Sequence, residues 1–116
     1  MPTENNTIFG KILRREIPAD IIYEDDMCLA FNDVTPQAPH HILLIPKKLI
    51  PRLVDAEDCD AELLGHMMLA VGKITRKLGI EETFRLVINN GAGAQQSVFH
   101  MHMHILSGRK FTWPPG

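Results

Sequence analysis

What this 116-residue chain has little of narrows its function first. It carries only two cysteines, Cys28 and Cys59, far apart and outside any C-x-x-C pair, so a disulfide scaffold is disfavoured. Both read as small buried or half-buried side chains of a protein in a reducing compartment. No charge of one sign dominates: 12 basic and 14 acidic residues leave a net charge of −2, and the basic pairs Arg14-Arg15 and Lys47-Lys48 are too short to form a patch. Nucleic acid is thereby excluded as the main partner. No apolar stretch approaches the ~20 residues of a membrane span. The start, MPTENNTIFG, has neither the basic region nor the apolar run of a signal peptide. No membrane association and a cytoplasmic location are the resulting expectations. Histidine, in contrast, is concentrated: three of the six lie within residues 100–104.

The length suits one domain, residues 1–116, with a single modest core. Thr7 before IFGKILRREIPAD predicts a short capped helix that Pro18 cannot let continue. DIIYEDD and MCLAFND predict two strands of a hairpin turning at residues 24–26, and HHILLIP a buried strand closed by Pro46. KKLIPRLVDAED reads as a loop or broken helix. Within CDAELLGHMMLAVGKITRKLG, the residues Leu63, Leu64, Met67, Met68, Val71, Ile74 and Leu78 recur at helical spacing. Asp58 or Asp60 would cap this long helix and Gly79 would end it in a left-handed turn. His66 on it reads as a satisfied core or supporting histidine. FRLVINN predicts a further strand, GAGAQQ a loop, and residues 97–106 a last strand followed by a tail, 107–116. The fold class is therefore α+β: an antiparallel sheet of about five strands with one long and one short helix.

SVFHMHMHIL is the stretch that carries chemistry. In a strand, Val98, His100, His102, His104 and Leu106 share one face, while Phe99, Met101, Met103 and Ile105 form an apolar face for the core. A solvated face would favour threonine, lysine or glutamate over three histidines in register. Zinc is a rival reading, because histidines two apart lie ~6.6 Å from each other along a strand. His100 and His104, at ~13 Å, are beyond the reach of one tetrahedral ion, so a metal would need His41 or Asp33 and would leave one histidine idle. Nucleophilic catalysis uses all three: a neutral imidazole attacks near pH 7, one neighbour fixes its tautomer, and another donates a proton. A glycine loop alone is commonly just a hairpin turn, but beside three aligned histidines the small residues of GAGA, with Gln96 and Ser97, would let backbone N–H groups approach an anion such as a phosphate.

QSVFHMHMHIL matches the His-φ-His-φ-His-φ-φ signature (φ apolar) of the histidine-triad, or HIT, superfamily. TIFGKILRREIPADIIYEDDMCLAFNDVTPQAPHHILLIPKK and the terminal WPPG resemble the Hint branch, the purine nucleoside phosphoramidases, over nearly the whole chain. That resemblance implies hydrolysis of purine nucleoside 5′-monophosphates linked through nitrogen to an amine or a lysine, with no cofactor and no metal. It makes His102 the nucleophile, with one ring nitrogen held by a backbone carbonyl, and His104 the aid to proton transfer. His100 supports from behind, and His41 completes the site; His40, on the opposite face, is incidental. Asn89, Gln96, Ser97 and Val98 would bind phosphate. Asp33 would accept the ribose hydroxyls, and Phe31, Val34, Phe9, Ile12, Ile17 and Ile22 would line the base pocket. Trp113 in the tail would reach a partner subunit, which implies a homodimer with paired sheets. Two departures stand out: Gln95 occupies a glycine position of the phosphate loop, and Asn32 replaces a histidine beside the ribose aspartate. The alternatives are a dinucleoside polyphosphate hydrolase of the Fhit branch and a non-catalytic purine nucleotide-binding dimer.

Overall fold

Thr7 begins the first element as expected: its hydroxyl accepts the Gly10 N–H at 3.1 Å and caps helix α1, Ile8–Leu13. The structure, a computed structural model, describes residues 5–116; the first four residues of the expected domain lie outside that range. Helix α1 stops before Pro18 is reached, with Arg14 as its C-cap and Arg15 at φ 62°. The hairpin follows as β1 (Ile21–Glu24) and β2 (Cys28–Asn32), and Asp25 holds its turn by accepting from the Met27 and Cys28 N–H groups at 2.8 and 3.0 Å. Strand β3 is His40–Pro46, helix α2 is Ala61–Leu78, and strands β4 (Arg85–Ile88) and β5 (Met103–Ser107) complete the chain. The segment between β3 and α2 makes two short 3-10 turns. Gly79 ends α2 at φ 71°, the left-handed cap that its position predicts.

The five strands form one antiparallel sheet in the order β1-β2-β3-β5-β4. Central strand β3 is apolar on both sides because both sides are covered. One face carries Cys28, Ala30, Ile42, Leu44, Met103 and Ile105 against Leu63, Met67, Ala70, Val71 and Ile74 of α2. The other carries Leu29, Phe31, Leu43 and Ile45 against Phe9 and Ile12 of α1.

Three expectations are corrected. The last strand covers Met103–Ser107, not 97–106. Its ladder with β3 ends at the Leu44–Met103 pair; Pro46 beyond has no N–H to donate, and its carbonyl accepts instead from the His100 ring. Phe99, expected in the core, precedes the regular strand and is 42% exposed. Met68 is 54% exposed, because the face that α2 buries runs through Leu63, Met67, Ala70, Val71 and Ile74 and leaves Met68 beside it.

Candidate active site

His104 sits on β5 opposite Leu43 of β3 and Val87 of β4. His41 is two residues from Leu43, so alternation brings both histidines to one face of the sheet, where Nε2 of His41 lies 2.9 Å from Nδ1 of His104. The donors around them assign the tautomers. Nδ1 of His41 accepts the Gln37 N–H at 3.0 Å, so the proton of neutral His41 is on Nε2 and is donated to His104. His104 then carries its proton on Nε2, the one buried side-chain polar atom among the described residues without a hydrogen-bond partner. That N–H donor is buried and unpaired, and a ligand oxygen or nitrogen brought to it would satisfy it.

His102 is held differently. Its Nδ1 lies 2.9 Å from the His100 carbonyl, which only accepts, so the proton is on Nδ1 and the lone pair on Nε2. Phe9 packs edge-on to the ring at 4.9 Å between centroids, and the His104 ring lies 5.0 Å away on the same scale. His100 is fully buried; its Nε2 donates to the Pro46 carbonyl at 2.7 Å, and the Asn5 side-chain amide meets its Nδ1 at 2.8 Å. Burial lowers the pKa of His41, His100 and His102, and it lowers that of His104 to about 4. All four imidazoles are therefore neutral at pH 7, the state a nucleophile needs.

A cleft of about 250 Å³ opens beside these rings, between α1 and the strand ends. Phe9, Ile12, Ile17, Phe31, Leu43 and Val98 give it apolar walls, and Asp33, Ser97, His102 and His104 supply polar groups. Asp33 uses one carboxylate oxygen on the Thr35 N–H at 2.8 Å, and the other lies 3.4 Å from Nε2 of His41. Among the described residues, the backbone N–H groups of Ser97 and Val98 have no acceptor, so both remain open to an anion.

The expected residues thus fall into two groups. His41, His100, His102, His104, Phe9, Ile12, Phe31, Asp33, Ser97 and Val98 are brought together, and Val34 stands at the cleft rim, 97% exposed. Ile22 is not: a bulge in β1 between Ile21 and Tyr23 turns it to the core under α2. The Gln96 amide is occupied in the loop, accepting from the Gly91 N–H and donating to the Pro51 and Val98 carbonyls, so it shapes that loop from inside. Asn89 follows β4 and lies outside the cleft lining. Trp113 is 81% exposed on the single chain. Gln95 adopts φ 70°, the left-handed region that glycine enters without penalty. Sequence reasoning missed Leu43, which alternation from His41 could have found, and it missed Asn5 and the Gln37 N–H.

Two groups have donor sets that a divalent ion accepts: Asp33, His41 and His104 in the cleft, and Asp25, Cys28 and His66 away from it. In the first, a proton already bridges His41 and His104. In the second, Asp25 receives His66 Nε2, the Tyr23 hydroxyl, the Cys28 thiol and two backbone N–H groups, which uses its acceptor positions. Hydrogen bonds thus engage His41 and Nδ1 of His104 in the first group and all of Asp25 in the second, and an ion would have to replace them.

A face-shared set of neutral histidines beside an apolar cleft defines a family, and the chain belongs to it: the HIT domain matches residues 14–111. An uncharacterized HIT-like protein of Synechocystis is 62% identical over 111 residues, covering 96% of this chain and 97% of that protein. A 14 kDa zinc-binding protein of Brassica juncea is 47% identical over 113 residues, covering 96% of this chain and all of that one. The crystal structure of a HIT family hydrolase from Legionella pneumophila superposes with a TM-score of 0.93 at 46% identity, covering 96% of this chain and 100% of that chain.

Proposed function

We propose that this protein hydrolyses purine nucleoside 5′-phosphoramidates, AMP or GMP joined through nitrogen to an amine or lysine, by way of a covalent nucleotidyl-histidine on His102. One observation carries the reading: the His100 carbonyl holds the Nδ1 proton of His102 and leaves the Nε2 lone pair for attack. The α-phosphorus bonds to that nitrogen as its bond to the leaving nitrogen breaks. The departing amine takes up one proton from solvent water while the Nε2–H of His104 donates a hydrogen bond to the leaving nitrogen. Water then attacks phosphorus, the Nε2–P bond breaks, and the proton consumed in the first half is released with the nucleoside monophosphate. Two displacements replace one hard step, while the Ser97 and Val98 N–H groups stabilise charge on the non-bridging oxygens. Asp33 would accept both ribose hydroxyls, and Phe9, Ile12, Phe31 and Val34 would receive the base; all five line the cleft.

The working unit in this reading is a homodimer in the cytoplasm. Strand β4 has a free edge, and Met68, Leu69 and Trp113 expose apolar surface that a second copy would cover. Sedimentation gives the oligomeric state directly. The test of activity is release of AMP from adenosine 5′-phosphoramidate, with and without a chelator. Turnover that chelation leaves unchanged is the expected result. Loss with chelator would place a metal on Asp33, His41 and His104 and overturn it, and AMP binding without turnover would leave a non-catalytic nucleotide-binding dimer.

A further inference from the structure

We infer that Asn5 is a positioning residue for the nucleophile, acting through His100; the inference rests on reading His102 as the attacking group. His100 has no exposed surface, and its Nε2–H is donated to the Pro46 carbonyl. The neutral ring therefore has a buried lone pair on Nδ1, which needs a donor. The Asn5 side-chain nitrogen supplies it at 2.8 Å.

The orientation of that amide is fixed by its other end. Oδ1 of Asn5 accepts from the Thr7 hydroxyl at 2.6 Å and from the Thr7 N–H at 3.2 Å, so the oxygen points at Thr7 and the nitrogen at the ring. Arg14 holds the Asn5 backbone carbonyl at 2.7 Å. Gly10 makes room: a Cβ there would collide with the side chain and carbonyl of Asn5. A glycine inside a short helix weakens it, and this close approach is the compensating reason for its presence.

A chain of contacts follows. Asn5 donates to His100, which keeps the His100 ring neutral and in one orientation, and the His100 carbonyl receives the His102 Nδ1–H. The His100 ring meets Asn5, Pro46, Phe9 and His102, and of these only His102 titrates. When phosphorus bonds to Nε2, the His102 ring becomes cationic. A neutral His100 beside it adds no second positive charge, and that neutrality is what Asn5 maintains.

Asn5→Asp tests this closely, because aspartate still accepts from Thr7 but offers His100 a carboxylate oxygen in place of an N–H. In 15N spectra of the imidazoles, the wild type shows His100 with Nδ1 unprotonated and Nε2 protonated at neutral pH. The variant shows both nitrogens protonated, and its His102 titrates at lower pH beside the new charge. Turnover falls about tenfold in kcat with KM little changed, the size of effect that partners orienting a functional histidine have elsewhere. Gly10→Ala is the second arm: it favours the helix yet displaces Asn5, so His102 titration and kcat shift although Asn5 is intact. An unchanged His100 nitrogen pattern in Asn5→Asp, or an altered one with His102 titration as in the wild type, overturns the inference. Since ring titration needs no substrate, a wild type without phosphoramidase turnover would sink the proposed function while these spectra still decide the role of Asn5.

Discussion

The two faces of the sheet are built from alternate residues of the same strands, yet they differ in cover. On one, Ile42, Leu44, Met103 and Ile105 lie beneath the 18-residue helix α2, with no polar group of the triad among them. On the other, Leu43 and Ile45 share the surface with His41 and His104, and the six-residue helix α1 covers only part of it. What α1 leaves open is the cleft. Burial on the first face supplies the stability that lets the second hold four imidazoles in surroundings that disfavour their charge.

That contrast is sharpest when each face is broken separately. His102→Ala should lower turnover by roughly 10⁴-fold or more, the scale on which loss of a nucleophile acts, while the thermal midpoint stays close to that of the parent. Steady-state rates beside a melting curve check both halves. Ile74→Ala should do the reverse, costing about 2–5 kcal/mol of stability as a cavity opens under α2, with kcat of the folded fraction unchanged. Denaturant unfolding measures it, and a selective loss of kcat would show that the faces are not independent.

Asp33→Asn should raise KM for a nucleotide substrate about tenfold with a smaller change in kcat, because a charged acceptor for the ribose hydroxyls is removed. A 2′-deoxy substrate should show less of this penalty. The smallest effect is on pH dependence. The folded pKa values of His41, His100, His102 and His104 lie below the 6.5 of a free imidazole. The unfolded chain therefore binds more protons over the window from 6.5 down to about 4, the value for His104. Stability is full above that window and falls as pH drops through it; melting temperatures across the range should decline toward acid, and less so in His104→Phe.

Much of this was legible in the sequence because it depends on local rules. The spacing of Leu63, Met67, Val71 and Ile74 gave α2, Gly79 gave its end, and Thr7 gave the cap of α1. Alternation set His100, His102 and His104 apart from Met101 and Met103, and His41 entered through the resemblance to the HIT family. Tertiary circumstances hid the rest. Residues 97–102 alternate like a strand, but Pro46 has no N–H to pair with them. The β1 bulge moved Ile22 to the other face, and Gln96 looked like a phosphate ligand until its three loop contacts were seen. Asn5 left one trace, a glycine three residues after the helix cap.

The most direct test of the central claim is the mass of the protein quenched during turnover of adenosine 5′-phosphoramidate. The expected result is an acid-labile adenylyl adduct that peptide mapping places on His102 and that His102→Ala lacks. Turnover without any adduct, or an adduct on another residue, would contradict it.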